Sequence, residues 1–534
     1  MLKNLLNKLQ ASILGGAIII GAASIASRLI GLVRDRLLAS TFGAGDVLDT
    51  YYAAFRLPDF IFNILVLGAL SSSFIPIFLQ YWHGPDSDRR AEAWRITNTV
   101  LNLLLVTLVG FSIVAFLLAP WLMHWLVPGF SAEKREATTL LTRIMLGSII
   151  FFGVSNVLSG LLNSFRRFLA FSLAPIMYNV GIIFGIYVLV PRWGTAGLAI
   201  GVVLGAATHM LVQLPTAWRL GWRYCWHIDF NHPGVKKIWR LMIPRTLGLA
   251  VVQINQMITN VIASTLAVGS VAVFNLANNL QSFPINVFGV SLAVSAFPVF
   301  SRAFAEQDTV GFVGHFSESF RRILYLIIPA SIAILLLRAQ IVRLILGTGN
   351  FNWTDTVLTA QTLGIFAVSL FSESLIPLMA RSFYAFQDTK TPVIISGIAV
   401  ALNVSLGFWL SRSFGIVGLV SGFAIASILN MMLLLATLRV RFGDLDDFKI
   451  IRSTIKIIIG SIVLGVVVQV MKYAIAPMVD MHTFFGVLIQ TVVALAAGGL
   501  AYLLITMAMK SDEIGLMAGW IDRAKRLFRN PIQS

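Results

Sequence analysis

The chain alternates long apolar runs with short polar breaks, and the lengths of those runs set its architecture. A helix rises about 1.5 Å per residue, so crossing a bilayer takes about 20 predominantly apolar residues. Runs of that kind lie at 12–40, 57–81, 96–127, 137–163, 169–190, 195–218, 238–266, 271–300, 322–347, 357–384, 391–411, 414–438, 454–476 and 482–508. The pattern predicts an all-α integral membrane protein of about 14 transmembrane helices. Two flanking segments are amphipathic instead. Residues 2–10 set Leu2, Leu5, Leu6 and Leu9 against Lys3 and Lys8. The tail gathers Ile514, Met517, Ile521, Ala524 and Phe528 on one face, with Arg523, Lys525, Arg526 and Arg529 mostly elsewhere. Both read as helices lying on the inner membrane surface. The N-terminal stretch shares the basic end and apolar middle of a secretory signal. Its apolar run continues past any cleavage site, so the reading keeps it.

Composition supports the membrane reading. Of 534 residues, 57% are hydrophobic and only 12% charged, with a mean hydropathy of +0.85. A soluble domain carries about a quarter charged residues. The net charge of +17 would suggest nucleic acid in a soluble protein. Here it reads as an excess of Lys and Arg on the cytoplasmic side, and no nucleic-acid partner is expected. With the N-terminus inside, the inner loops, both termini and the basic helix ends hold roughly 27 of the 40 Lys and Arg residues, the outer connections about six. Shifting the count by one helix scrambles that asymmetry, so the expectation is an even number of spans with both termini cytoplasmic. A single Cys225 excludes an internal disulfide and shows no metal-ligand spacing. No phosphate-loop, zinc or dinucleotide glycine pattern is present, so no cofactor is expected.

The chain also repeats itself. "ASTFGAGDV" (39–47) resembles "ASTLAVGSV" (263–271), and "SSFIPIF" (72–78) resembles "SAFPVFS" (295–301). "SFRRFLAFSLAP" (164–175) pairs with "SFYAFQDTKTP" (382–392), and "GTAGLAIG" (194–201) with "GIVGLVSG" (415–422). The pairs keep their order at an offset of roughly 217–224 residues. The predicted organisation is an N-terminal lobe (1–220), a cytoplasmic linker (221–237), a C-terminal lobe (238–440), an extra helix pair (441–508) and a basic tail (509–534). Six helices per lobe is an even number, so the two copies run parallel. That is the geometry of carriers with a binding site between halves near the midplane. Gly68, Gly197 and Gly201 serve equally well for helix bending or for ordinary close packing.

Charges inside the spans carry the candidate chemistry. An Arg or Asp at the centre of a spanning helix costs about 2.5–3.5 kcal/mol on insertion scales. "SRLIGLVRDRLLAS" (27–40) nevertheless holds Arg28, Arg34, Asp35 and Arg36. At about 100° per residue Arg28 and Asp35 share a face, and Asp35 can partner one arginine. The others need water or another anion. Arg34, Arg36 and Arg56 can alternatively reach the headgroups, as can Arg143 and Arg245 from their spans. Asp49 and Asp59 lie near the outer loop, and Glu373 stands alone in span ten. Glu373 reads either as a proton- or sodium-coupling group or as a carboxylic acid kept neutral by burial. Few acids lie deep in the first half. A cavity with surplus guanidinium suits phosphate or pyrophosphate, which Arg grips bidentately, and repels a cationic drug. A membrane transferase would need a general base, for which only Asp49 or Asp59 offers itself.

"SRLIGLVRDRLLASTFGAGDVLDTYYAAFRLPD" (27–59) and "SFYAFQDTKTPV" (382–393) resemble the MurJ (MviN) lipid II flippases of the multidrug/oligosaccharidyl-lipid/polysaccharide superfamily. The resemblance spans essentially the whole chain. It implies a bacterial inner-membrane carrier moving undecaprenyl-pyrophosphate-linked peptidoglycan precursor outward by alternating access. Membrane lipids and cell-wall synthesis enzymes are implied as partners, and the membrane potential, sodium or protons as the drive. Arg28 and Arg34 match the family's first-helix arginines, Asp49 its following acidic residue, and Arg56 its basic residue before "LP". Asp35 joins them as a substrate-binding candidate. Phe62, Asn63 and Leu67 stand where the family usually has two arginines and a glutamate. Asn278, Asn279 and Ser282 replace an Asp-Arg pair and a later Glu, leaving hydrogen-bond donors without charge. The alternative is a related flippase for another polyprenyl-linked oligosaccharide.

Overall fold

The computed structural model describes residues 13–67, 74–83 and 87–515, and among these there is no β-strand. The amphipathic segment 2–10, Gly68 and the tail beyond residue 515 lie outside the described residues. Three elements make up the first two passes: α1 (Ile13–Phe42), α2 (Asp46–Ala54) and α3 (Arg56–Phe62). After α3 comes a wider π turn (Asn63–Leu67), then α4 (Phe74–Trp82). Next come α5 (Ser87–Leu126), α6 (Ala132–Ser164), α7 (Phe168–Phe184), α8 (Thr195–Leu211), α9 (Leu214–Arg219) and α10 (Pro233–Ser264). A second π turn (Ile285–Val290) separates α11 (Ser270–Pro284) from α12 (Ser291–Ala305). The chain then runs through α13 (Thr309–Ile345), α14 (Trp353–Ala385), α15 (Lys390–Phe442), α16 (Asp447–Ile475) and α17 (Phe484–Ala508).

Ten helical segments among the described residues are long and apolar enough to cross a membrane. One of them, the 53-residue α15, is two passes joined at Gly415, whose φ of 57° no right-handed helix accommodates. With α1, the elements flanking residues 68–73, and α10, the expected fourteen passes are accounted for. Large apolar side chains cover the outer faces, Leu117 being 67% exposed and Trp409 69%. Such exposure marks a surface made for lipid.

Two compact units divide the chain after Ala272, with residues 348–352 clustering with the first. In the first unit α6 is central, packed by α5, α8, α2 and α3. Phe74, Phe78, Trp82, Trp94 and Phe165 stack or meet edge to face at one end. Asn98 and Asn102 on α5 fix the extended segment after α9. Their amides donate to the carbonyls of Arg223 at 2.9 Å and of Cys225 and His227 at 3.0 Å. A buried network joins Ser155 and Ser159 on α6 to His209 and Gln213.

The second unit is built around α13, α14 and α15, with the α16–α17 pair packed on α13. Its aromatic cluster, Phe300, Phe312, Phe316, Phe386 and Phe442, sits where the repeat predicts. Phe300 and Phe386 correspond to Phe78 and Phe165 of the first unit.

Local geometry repeats with the sequence. The π turns at Asn63 and Ile285 lie 222 residues apart. At each, an asparagine amide donates to the carbonyl four residues back: Asn63 to Asp59 at 2.8 Å and Asn286 to Ser282 at 2.7 Å. Gly194 and Gly415 share the same backbone conformation, φ 56° and 57° with ψ −142° and −136°. A Cβ on Gly197 would sit 2.5 Å from the Leu189 carbonyl carbon, and one on Gly418 2.5 Å from that of Leu410. One on Gly201 would fall 2.8 Å from the Gly185 Cα. Close backbone approach is therefore what Gly197 and Gly201 are for.

Candidate functional site

The arginines of α1 meet different fates. Arg34 donates through Nε and Nη2 to Asp35 Oδ1 at 3.0 and 2.8 Å, and through Nη1 to Asn179 Oδ1 on α7 at 3.0 Å. Side chains one residue apart on a helix ordinarily diverge. The long arginine folds back to reach its neighbour, so Asp35 pairs with Arg34 rather than with Arg28 on its own face. Asn179 is fixed in turn by donating to the carbonyls of Pro175 at 3.0 Å and Ser27 at 3.4 Å. Three of the five guanidinium N–H groups of Arg34 are thus engaged, leaving two for a ligand. The rings of Tyr51, Tyr178 and Tyr52 lie within electrostatic range of it. Sequence reasoning passed over Asn179, a lone amide inside an apolar run. Its polarity in such a place was the available signal.

Arg28 is half-buried, one and a half turns earlier on α1. It has no hydrogen-bond or ionic partner among the described residues. A guanidinium left in that state inside a spanning helix is a charge waiting for an anion. Arg56 interacts with Asp59 one turn along α3, just before the π turn.

Asp49 does something other than expected. It is 1% exposed, and Oδ1 accepts from the Ala272 N–H while Oδ2 accepts from the Gly269 N–H, each at 2.8 Å. Lys134 at the start of α6 adds an ion pair at 2.8 Å and reaches Asp46 at 2.6 Å. Both oxygens of Asp49 are taken up inside the protein, so in this conformation it clasps the start of α11 to α2 and α6 rather than facing a ligand. Asn350 adds a second fastening, donating to the carbonyls of Ser40 and Thr41 at 2.8 and 2.7 Å. Backbone N–H partners such as Gly269 and Ala272 leave no trace in a side-chain pattern.

The second-unit candidates are more self-contained. Asn278 Oδ1 accepts from Gln281 at 3.0 Å, and the Ser282 hydroxyl donates to the Asn278 carbonyl at 2.7 Å. Asn279 is half-buried on the same helix, α11. Glu373 on α14 hydrogen-bonds Ser427, which also pairs with Ser372 at 2.8 Å. Arg143 is removed from the candidates: its Nε donates to the Phe116 carbonyl at 3.0 Å and its head lies over the Phe116 ring. The Arg245 side chain lies outside the described residues. Among the described residues no cluster could hold a metal ion.

The sequence model of the family described as "Lipid II flippase MurJ" matches residues 38–510. The chain belongs to the MurJ lipid II flippase family. A relative from Vibrio cholerae, named probable lipid II flippase MurJ, is 31% identical over 430 residues, covering 79% of this chain and 82% of its own. Relatives of the same name from Rhizobium tropici and Haemophilus influenzae are each 30% identical, covering 86% and 83% of this chain and 87% and 90% of theirs. A solved structure described as lipid II flippase MurJ in an inward closed conformation has a TM-score of 0.77 at 24% identity, covering 93% of this chain and all of that one. A multidrug transporter of the MATE family in an inward-facing conformation follows at TM-score 0.65 and 17% identity, covering 81% and 99%. The MurJ fold is thus a member of the wider MOP architecture, and the chain is a multi-pass membrane transporter.

Proposed function

We propose that this MurJ-family protein carries lipid II, the undecaprenyl-pyrophosphate-linked peptidoglycan precursor, from the inner to the outer leaflet of the bacterial cytoplasmic membrane. Family membership supports the substrate, and the unpartnered Arg28 beside a pre-oriented Arg34 is the observation that carries the mechanism. In this reading the pyrophosphate exchanges its hydration for Arg28 and for the two remaining N–H groups of Arg34. Asp35 and Asn179 hold Arg34 in one geometry, so no ordering cost falls on ligand binding. Arg56 adds a third cationic head. The polyprenyl tail stays in lipid. No bond is made or broken, so the protein is a carrier and not an enzyme.

Outward release then requires the start of α11 to leave Asp49 and Lys134, which makes that clasp the latch of the cycle. An inside-negative potential favours outward movement of an anion: two uncompensated charges across 100 mV gain about 4.6 kcal/mol. Glu373, hydrogen-bonded to Ser427 and free of any ion pair among the described residues, is the group through which a proton or sodium ion would couple. The orientation that fits the charge bias keeps both termini cytoplasmic.

The test is replacement of the resident flippase by this chain in a depleted bacterial host, scored by the precursor reaching the outer leaflet. Wild type restores it. Arg28→Ala inserts at normal levels and does not, because Arg28 has no structural partner to orphan. Normal outer-leaflet precursor with Arg28→Ala would overturn the mechanism. Restoration of a different polyprenyl-linked saccharide alone would overturn the substrate.

A further inference from the structure

At one end of the first unit, a cavity of about 380 Å³ opens between the start of α7 and the α8–α9 corner. Its volume falls within the range of about 300–1,000 Å³ typical of small-molecule sites. Arg167 and Arg219 line it with the hydroxyl-bearing Thr216, over apolar walls from Leu169, Leu173 and Leu220. Both arginines are exposed, and neither guanidinium has a hydrogen-bond or ionic partner among the described residues. No carboxylate lines the cavity. Arg167 and Arg219 lie in different inter-helix connections, yet the fold brings both to one cavity. The charge pattern assigns this end to the inner face of the membrane, and Trp218, 49% exposed beside Arg219, is the kind of residue that sits at the headgroup level. The lining therefore offers cationic forks at the mouth and an acyl-compatible floor, as basic pockets between helices do for anionic headgroups.

We propose that this cavity binds the phosphate group of an anionic phospholipid of the inner leaflet, a site separate from the α1 arginines. The phosphodiester meets Arg167 and Arg219, and the glycerol and first acyl carbons lie on Leu169, Leu173 and Leu220. A free phosphate ion shares the charged contacts but has nothing for the apolar floor.

Native mass spectrometry of the delipidated full chain tests this with three probes: phosphatidylglycerol, phosphatidylcholine and inorganic phosphate. The expected result is one saturable phosphatidylglycerol site, preferred over phosphatidylcholine, and weakened roughly thirtyfold in Arg167→Gln/Arg219→Gln. Leu173→Trp, which fills the floor, lowers phosphatidylglycerol binding without changing any phosphate binding. Equal phosphatidylglycerol affinity in wild type and the double glutamine variant would overturn the site. Inorganic phosphate displacing the lipid at equal concentration would overturn the lipid as its source. If the glutamine variant is poorly folded, Arg167→Lys/Arg219→Lys keeps the charge and loses the fork. An intermediate affinity supports the proposal, and an unchanged one contradicts the part played by the guanidinium geometry. Binding is read without transport, so the outcome is independent of the substrate assignment.

Discussion

Single side chains repair what prolines break. Pro120 within α5 has no N–H to offer the Phe116 carbonyl, and Pro329 within α13 none for the Tyr325 carbonyl. In lipid such an orphan costs several kcal/mol, so a partner must be found. Arg143 supplies it at Phe116, and the Tyr502 hydroxyl, 2.8 Å away, supplies it at Tyr325. Tyr502 and Tyr325 together fasten α17 to α13, with Thr506 bonded to the Tyr325 hydroxyl at 3.1 Å. Tyr502→Phe removes one such bond while keeping the ring. We expect a loss of about 1 kcal/mol, read as a lower unfolding midpoint in detergent with transport retained.

At the scale of elements, the two copies reuse one packing device. The first glycine of each "GxxGxxxG" segment turns the chain with positive φ, and the second lets the helix touch the preceding one backbone to backbone. A methyl group at Gly197 or Gly418 meets backbone that has no rotamer to yield. Gly197→Ala and Gly418→Ala should each destabilise by about 1–3 kcal/mol. The two effects should add, because the sites lie in separate compact units. A double variant no less stable than either single one would refute the shared device. The π turns bring the same point to function: the widened turn after α3 directly follows the Arg56–Asp59 pair, and π turns concentrate at working sites.

For the whole molecule, a polar clamp outside the lipid ties the last helix pair to the rest of the second unit. Glu513 is 3% exposed, pairs with Arg321 at 2.5 Å and accepts from Ser511 at 2.6 Å and Ser453 at 2.9 Å. Burial alone would raise its carboxyl, but the hydrogen bonds from Ser511 and Ser453 and the charge of Arg321 outweigh it and hold it below the ordinary 4.5. A depressed carboxyl contributes stability that is complete above its unfolded value and is lost as pH falls through the folded one. Asp388 behaves alike: burial is outweighed by the bonds from Thr391 and by the Arg441 charge, setting it below 3.8. Glu513→Gln leaves Arg321 with only Asp512, at 3.8 Å. It should destabilise at neutral pH on the order of 3 kcal/mol. The wild-type stability should decline below about pH 4.5 and the variant's decline there should be shallower, measured by thermal unfolding across pH. Identical acid profiles would dismiss the clamp.

Run lengths alone determined fourteen helical passes, because bilayer thickness fixes how much apolar sequence a helix needs. The duplication was legible for the same reason: glycines that must touch backbone keep their spacing, and Gly197 and Gly418 do so at an offset of 221 residues. Arg28, Arg34 and Asp35 declared themselves by being expensive where they stand. Their partners did not. Helical phase put Asp35 with Arg28, yet the flexible guanidinium of Arg34 reached it first, and Asn179 came from a helix 145 residues away. Asp49 looked like a ligand contact because it is acidic and lies beside the first span. Tertiary structure gave it two backbone N–H groups and Lys134, partners that exist only once α11 and α6 are folded against α2. Cost per residue is written along the chain, whereas the partner that offsets it is chosen by what the fold brings within 3 Å.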